Sequence, residues 1–433
     1  MRSHACRAFG RPTSGRTVFR LNGVRRSGPI FVLWLALLAG CGGSGAHSEQ
    51  TLEIAVNASF SKTPYVAETI ANGASLAVLE LEQNRPLVIG DTTYKLEVRR
   101  FDTGGSPITA VSNIRRAVAE HAIAILDEGT GVGASWEVAN AAHIPIAILY
   151  QGGIDLVDPA KRPNVFRIVP TDHGVAYRLA EYLVPKGLKV ALLHDDSGYG
   201  QEGAAVLARA FAQNPEALAT RLTLPSAASD LAPQLLAARR SGATAVLVWA
   251  QAPVIAKALI AARSSGWHVP FYTPPAGADP LVRQELADHP EWVDGLTFAS
   301  GRLTAEGGPV PFYSFESKYR AAFGVESVGV KTKAGKPVIQ PPEYATYSYD
   351  FVRLLVSALQ GAGGAGDREK VLAALNQVTI HGANGDERGF NVKNHEGVVD
   401  DDVYFARFDD MTYRPVKDDP LSSTLPVISQ IQP

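Results

Sequence analysis

From residue 51 onward, short apolar runs rich in β-branched residues alternate with longer amphipathic runs. Residues 52–56 have the composition of a buried strand, and residues 66–81 place apolar side chains at helical spacing. This alternation is typical of βα units, which build a mainly parallel sheet with helices on both faces. The same rhythm recurs after residue 189, so the sequence predicts an α/β fold with two Rossmann-like lobes.

The same pattern sets the predicted element boundaries. Strands are predicted at residues 52–56, 94–101, 122–126, 145–149, 189–193, 221–224, 245–249, 270–273 and 296–300. Helices are predicted at residues 66–81, 135–142, 201–212, 231–240 and 254–264. A further helix opens at Ser106-Pro107, because serine caps a helix and proline suits its first turn.

The C-terminal part of the chain predicts how the lobes are joined. Helices at 311–323, 344–360 and 368–377 precede strand-like runs at 388–392 and 399–408. These elements cannot form a third sheet, so we expect the helices in the first lobe and the strands in the second. The resulting crossovers would form a hinge.

The predicted lobes follow from this arrangement. We expect the first lobe at residues 51–170 and 302–388, the second at 171–301 and 389–420, and a tail at 421–433. Ligands of open α/β sheets bind beyond the carboxyl ends of the strands. Two facing lobes would therefore enclose a ligand cleft between them.

The first 40 residues differ from the rest of the chain. They contain seven arginines, no lysine and no acidic residue. Their apolar run at 30–38 is too short to span a bilayer core, which takes about 20 residues. Leu38-Ala39-Gly40-Cys41 resembles the bacterial lipobox, whose cysteine is lipidated after cleavage. We expect a signal peptide at 1–40, a lipidated Cys41 and a flexible tether at 41–50.

Composition excludes several classes of protein. The 433 residues are 46% hydrophobic and 19% charged, which excludes a disordered or fibrous chain. Lys plus Arg number 41 and Asp plus Glu 43, and the arginine-rich start leaves the remainder acidic, so nucleic acid is not an expected partner. Because Cys6 and Cys41 are the two cysteines, the folded body has no disulfide framework or cysteine-based zinc site.

A glycine-rich loop follows the predicted strand 122–126. Its sequence, Asp127-Glu128-Gly129-Thr130-Gly131-Val132-Gly133-Ala134, fits the letters of the dinucleotide fingerprint. However, no acidic residue follows the next strand to bind a ribose. We expect instead either a nest of backbone N–H groups for a small anion or polar ligand, or glycines that serve only a tight turn.

A polar turn, His194-Asp195-Asp196-Ser197-Gly198-Tyr199-Gly200, follows the predicted strand 189–193. Tyr199 either packs as a partly buried residue or projects into the cleft. The scattered histidines lack the spacing of metal ligands, and the sequence contains no esterase, zinc-protease or phosphate-loop motif. We therefore expect neither a metal nor a cofactor.

Three features together resemble a known family. The lipobox, Asn72-Gly73-Ala74 and the turn at residues 194–200 are similar to type I periplasmic solute-binding proteins, and more narrowly to the leucine/isoleucine/valine-binding branch that serves ABC importers. The likeness covers residues 51–415. It implies two Rossmann-like lobes that are joined by three crossovers and close on a ligand.

The resemblance also implies ligand-binding positions. The family's first-lobe carboxylate loop falls on Gly129-Thr130-Gly131, its second loop on Tyr150-Gln151-Gly152, and its cleft tyrosine on Tyr199. Ser59 or Tyr65 would lie at the rim, and Ala250 or Gln251 would follow a second-lobe strand. The implied set is Tyr65, Glu128, Thr130, Gly131, Gln151, Gly152, Tyr199 and Gln251.

One loop departs from the family pattern. Amino-acid binders of this branch hold the ligand ammonium with an acidic residue after the strand 270–273, whereas this chain has Pro274-Pro275-Ala276-Gly277. Asp279 or Glu128 would have to replace it, because a buried ammonium without a carboxylate is costly. An amide, a short carboxylate or another small polar solute therefore stands beside an amino acid as the expected ligand.

The function expected from the resemblance is solute capture without catalysis. We expect a monomeric, lipid-anchored, extracytoplasmic protein that binds a small solute and presents it to the transmembrane subunits of an ABC permease, with no other contact with the membrane. The alternatives are a ligand sensor for a membrane receptor and a secreted α/β hydrolase that uses His194, Asp195 and Ser197.

Overall fold

The first lobe of the computed structural model is built on a six-stranded sheet; the structure describes residues 48–84, 86–301, 310–399 and 402–424. The strands are β1 (Ser48–Ala58), β2 (Leu87–Ile89), β3 (Thr92–Asp102), β4 (Ala124–Asp127), β5 (Ile146–Ile148) and β6 (Val165–Arg167). Their order is β2-β3-β1-β4-β5-β6, and only the edge pair β2–β3 is antiparallel. The strand order reverses between β1 and β4, which is where such sheets bind ligands.

Helices α1 (Pro64–Asn84), α2 (Pro107–Ala119) and α3 (Val132–Ala141) follow β1, β3 and β4 of this sheet. As predicted, Ser106 caps α2, and its Oγ accepts a hydrogen bond from the Thr109 N–H at 3.3 Å. Gly131 caps α3 with φ +85°, a conformation that favours glycine. The glycine-rich loop is thus a tight strand-to-helix turn.

The second lobe repeats this architecture. Its parallel strands are β7 (Val190–Asp195), β8 (Leu218–Leu224), β9 (Ala245–Trp249), β10 (Phe271–Thr273) and β11 (Thr297–Ser300). Its helices are α4 (Asp172–Leu183), α5 (Gly198–Ala210), α6 (Ala232–Arg240), α7 (Ala252–Ser264) and α8 (Pro280–Glu285). Here the strand order reverses between β7 and β9.

The C-terminal part of the chain contributes to both lobes. Its helices are α9 (Val310–Phe323), α10 (Glu343–Ala362) and α11 (Arg368–Leu375), and its strands are β12 (Glu326–Lys331), β13 (Pro337–Gln340), β14 (Thr379–His381), β15 (Glu387–Gly389), β16 (Tyr404–Asp409) and β17 (Thr412–Pro415). The helices pack with the first-lobe core, whereas β16 and β17 extend the second sheet beside β11. The three helices therefore belong to the first lobe, whereas β16 and β17 belong to the second.

Two details of the tail differ from the predictions. β15 pairs with β14 in a separate two-stranded sheet, and Phe390 and Val398 lie in the first-lobe core, although residues 389–420 are predicted in the second lobe. The hairpin β12–β13, which the sequence pattern does not predict, places Val328 and Val338 in the second-lobe core.

The chain passes between the two lobes at several points. It does so after β6, between β11 and α9, before and after the hairpin β12–β13, and between β15 and β16. The predicted α/β fold with two Rossmann-like lobes is confirmed. The predicted signal peptide, Cys41 and most of the tether lie outside the described residues, and β1 already begins at Ser48.

Candidate functional site

A cavity of about 310 Å³ lies between the lobes, at the carboxyl ends of their strands. First-lobe residues and the first crossover supply Tyr150, Gln151, Gly152, Gly153, Asp155, Leu156, Val169 and Pro170. The second lobe supplies Asp172, Val175, Gly198, Tyr199, Glu202, Gln251, Pro275 and Ala276, and α10 supplies Glu343 and Tyr344. The volume suits a small organic molecule.

Hydrogen bonds and an ion pair fix the first-lobe residues that form one wall of the cavity. The Gln151 side chain donates to Thr130 Oγ1 at 3.0 Å, which ties the loop after β5 to the loop after β4. Arg167, which is 1% exposed, donates to the carbonyl oxygens of Gln151 and Gly153 at 3.3 and 2.8 Å. Arg167 also forms a bidentate ion pair with Glu396 at 2.6 and 2.7 Å. These contacts fix the backbone that faces the cavity.

The second-lobe wall is organised by Asp195, at the end of β7. Its carboxylate accepts hydrogen bonds from the Ser197 hydroxyl and from the Gln251 N–H, the latter at 2.7 Å. This links the loops that present Tyr199 and Gln251 to the cavity. The Tyr199 ring packs 5.8 Å from that of Trp249. Burial, followed by the nearby Asp172 and Tyr150, raises the pKa of Tyr199 well above its ordinary value.

Helix α10 forms the base of the cavity. The Tyr344 ring contacts those of Tyr150 and Tyr65 edge to face, with centroids 5.3 and 5.8 Å away. The Glu343 carboxylate accepts hydrogen bonds from the Gly301 N–H at 3.0 Å and from the Tyr347 hydroxyl at 3.3 Å. Burial raises the Glu343 pKa to about 7, although these hydrogen bonds lower it.

Asp172 lies at the first crossover and is 8% exposed. Its N–H donates to the Gly152 carbonyl at 2.8 Å, and its carboxylate lines the cavity. Among the described residues, no hydrogen-bond donor contacts that carboxylate. Burial raises the Asp172 pKa to about 7, with a lowering influence from Arg167 and a raising one from Glu202.

Four of the eight residues implied by the resemblance line the cavity. They are Gln151, Gly152, Tyr199 and Gln251. The other four lie behind the wall or beside it. Tyr65 donates to the Pro341 carbonyl at 2.7 Å, and Thr130 receives the Gln151 hydrogen bond. Gly131 serves the turn into α3.

Glu128, the fourth residue behind the wall, is bound within its own lobe. Its carboxylate accepts hydrogen bonds from the Ser59 N–H and the Thr103 hydroxyl, both at 2.9 Å. Burial raises the Glu128 pKa, and hydrogen bonds from Ser59, Thr103 and Thr130 lower it. Glu128 does not reach the cavity.

The sequence pattern does not identify Asp172, Glu343 or Tyr344 as cavity residues. Helix α4 is not predicted, although Thr171 caps it by accepting the Gly174 N–H at 2.8 Å, and a threonine before an acidic residue is a helix-start signal. Glu343 is the first residue of α10, and the sequence predicts this helix only from its apolar face. Both carboxylates reach the cavity from connections between lobes, which a strand-by-strand pattern does not locate.

Within the described residues, no group of three or more His, Cys, Asp or Glu side chains is arranged to hold a metal ion. In the same part of the chain, no helix has the length and apolar character needed to cross a membrane.

Two α/β lobes, joined by crossovers around a shared cavity, define the class of bilobal solute-binding folds. The chain matches the family model described as periplasmic binding protein over residues 55–412, and it belongs to that family. The predicted relation to type I periplasmic solute-binding proteins is confirmed. The family comprises extracytoplasmic binding proteins, not enzymes. No curated protein matches the sequence.

Solved structures show the same fold. A periplasmic binding protein type 1 from Bordetella pertussis Tohama I is 19% identical, with a TM-score of 0.72 over 85% of this chain and 100% of that one. LivJ from Streptococcus pneumoniae, in complex with isoleucine, is 19% identical, with a TM-score of 0.70 over 85% and 99%. An ABC transporter solute-binding protein from Rhodopseudomonas palustris BisB5, in complex with 3,4-dihydroxybenzoic acid, is 17% identical, with a TM-score of 0.67 over 84% and 96%.

Proposed function

We propose that this protein is the solute-binding component of an ABC importer and captures a small polar solute by closing its lobes. The main support is the cavity, to which both lobes and the crossovers contribute side chains. A ligand that contacts both walls stabilises the closed arrangement relative to the open one, which is a population shift between hinged states. Gln151 from the first lobe and Tyr199 and Gln251 from the second supply opposing contacts.

The proposal includes a position at the membrane. The arginine-rich start and Cys41 support export and lipid anchoring, and the family is extracytoplasmic. Anchoring would keep the protein beside the permease subunits to which it delivers its solute. We propose that it acts as a monomer without a cofactor.

The hydrolase alternative finds little support in the geometry. His194 Nδ1 lies 2.9 Å from the Asp195 carbonyl oxygen and its Nε2 lies 3.3 Å from the Thr223 hydroxyl. The Ser197 hydroxyl donates to Asp195 and caps α5. The histidine and the serine therefore have separate partners, whereas a nucleophile and its base must contact each other.

The test is mass spectrometry of any small molecule released when freshly purified mature protein is denatured. The released molecule is then titrated back by calorimetry. We expect one organic solute per protein, and loss of at least tenfold in affinity for Tyr199→Ala. Arg221→Ala, on an exposed part of β8, is the control and should bind normally. If neither a released molecule nor a panel of amino acids, amides, amines and carboxylates binds, the transport role is contradicted, and with it the sensor role.

A further inference from the structure

We infer that the solute is a small organic cation that carries an ammonium group and no carboxylate. This inference rests on the proposed binding function and specifies its substrate class. It follows from four properties of the site: the sign of its charged side chains, an unpartnered buried carboxylate, three tyrosine rings, and a first-lobe loop region whose groups already bond to each other.

The charged side chains that line the cavity are all acidic. They are Asp155, Asp172, Glu202 and Glu343. None of the described lining residues is Lys, Arg or His. Glu202 also faces the opposite lobe, since a Cβ added to Gly153 would lie 3.7 Å from its carboxylate. A negative charge in the ligand would therefore have no cationic side chain to pair with, and four carboxylates nearby.

Asp172 provides the strongest evidence for a bound cation. It is 8% exposed, and a Cβ added to Gly152 would lie 2.5 Å from its Oδ1, so the carboxylate is seated against the cavity wall. Arg167 is the neighbouring cation, but Glu396 and two carbonyl oxygens occupy its guanidinium. A buried carboxylate without a donor is unfavourable, and a ligand ammonium would supply both the charge and the N–H groups.

The aromatic residues fit the same ligand. Tyr150, Tyr199 and Tyr344 line the cavity, and they come from the first lobe, the second lobe and α10. Tyrosine rings attract ammonium groups through their π-electrons, and the attraction grows when water is excluded. The apolar side chains of Val169 and Val175 complete a wall suited to the hydrocarbon part of an amine.

Part of the first-lobe loop region that the resemblance assigns to a ligand carboxylate is already occupied. Glu128 occupies the Ser59 N–H and the Thr103 hydroxyl, and Thr130 accepts from Gln151. A second carboxylate placed beside Glu128 would be repelled. Helix α5 begins at the cavity, but its Gly200 N–H donates to Ser197 Oγ at 3.1 Å, and Glu202 follows one turn later.

The experiment is calorimetric titration of the dialysed mature protein at pH 8 with four probes: n-butylamine, 1,4-diaminobutane, 4-aminobutanoate and leucine. We expect at least one amine to bind tenfold or more tightly than both 4-aminobutanoate and leucine. The comparison of 1,4-diaminobutane with 4-aminobutanoate changes one ammonium to a carboxylate at similar length. If neither amine binds, or if either carboxylate probe binds as tightly, the inference is overturned. Binding of leucine alone would overturn it and leave the transport proposal standing.

The variant Asp172→Asn tests the role of the unpartnered carboxylate. We expect at least a tenfold loss of amine affinity, whereas the control Asp196→Asn, an exposed carboxylate bonded to Ser226, should bind normally. Unchanged affinity in Asp172→Asn would contradict the inference.

A pH titration of the wild-type protein keeps the inference testable if Asp172→Asn does not fold. The groups that face Asp172 are Arg167, Glu202, Tyr150 and Tyr199. Protonation of the carboxylates removes the charge that holds the amine, so amine affinity should fall as the pH decreases from 8 to 5.5. Constant or rising affinity over that range would overturn the inference.

Discussion

At the scale of single residues, burial makes Asp172 costly in the ligand-free protein. The same position that suits a ligand ammonium leaves a carboxylate with few favourable interactions until the ligand arrives. Its raised pKa, about 7, is the sign of this cost. Burial also raises the pKa of Glu343 to about 7, so its ionised form has a similar cost. Binding residues of this kind are selected for the complex and not for the stability of the empty protein.

The stability of the folded protein should depend on pH through Asp172. The folded protein retains a proton on Asp172 up to about pH 7, whereas the unfolded chain loses it near pH 4. This proton therefore contributes to the stability of the folded protein at low pH, and the contribution is lost as the pH rises through 7. Asp172→Asn should reduce the loss of unfolding free energy between pH 5 and pH 8 by on the order of 2 kcal/mol. Urea denaturation of ligand-free protein at both pH values measures this. The exposed control Asp196→Asn should keep the wild-type loss of unfolding free energy between the two pH values. If Asp172→Asn also keeps the wild-type pH dependence, burial of the Asp172 carboxylate does not destabilise the folded protein.

The sequence predicts part of this site. The resemblance to the family implies Gln151, Tyr199 and Gln251, and these residues reach the cleft because they follow parallel strands that end at one edge of their sheet. Asp172 and Glu343 follow connections between the lobes, and their approach to the cavity depends on how the lobes pack. Glu128 illustrates the converse, because its loop is predicted correctly while its side chain turns to Ser59 and Thr103.

At the scale of elements, the contact between α1 and α10 joins the N-terminal and C-terminal parts of the first lobe. Gly73 lies at this contact, and a Cβ there would lie 2.6 Å from the Ala345 carbonyl carbon and would also overlap its oxygen. The helices therefore approach so closely because position 73 has no side chain. The same helix α10 carries Glu343 and Tyr344, so this packing also positions the base of the cavity.

We predict that Gly73→Ala destabilises the protein by about 1–3 kcal/mol, because the added methyl group forces the helices apart. The control is Gly361→Ala on the same α10, where a Cβ would lie 3.7 Å from the Ala374 methyl group. That change should be neutral or stabilising by up to about 1 kcal/mol, since alanine favours a helix more than glycine. Urea denaturation compares the two variants. Equal stability in both would contradict the close packing of α1 on α10.

The elements differ in how well the sequence predicts them. Central strands such as β4 and β9 are continuous buried runs, and they lie within one or two residues of the prediction. The hairpin β12–β13 is missed because a two-stranded ribbon has little stability of its own. Val328 and Val338 become core residues only where they meet the second lobe. Their environment is set by tertiary packing and cannot be deduced from the hairpin's own residues.

At the scale of the whole molecule, the chain passes repeatedly between two lobes that share one cavity. The described crossover residues include Asp172, so closure would move both walls around a carboxylate located at the hinge. In the ligand-free protein, Asp172 and Glu202 repel each other, and we expect this repulsion to oppose closure. A bound cation removes that repulsion and makes closure favourable, which connects the proposed substrate class to the proposed motion.

Small-angle X-ray scattering of the mature protein, with and without a saturating amine from the calorimetric titration, measures whether the lobes close on the solute. We predict that the radius of gyration decreases on binding, and that Tyr199→Ala at the same amine concentration retains the larger radius. An unchanged radius of gyration in wild-type protein that calorimetry shows to be saturated would contradict solute capture by lobe closure.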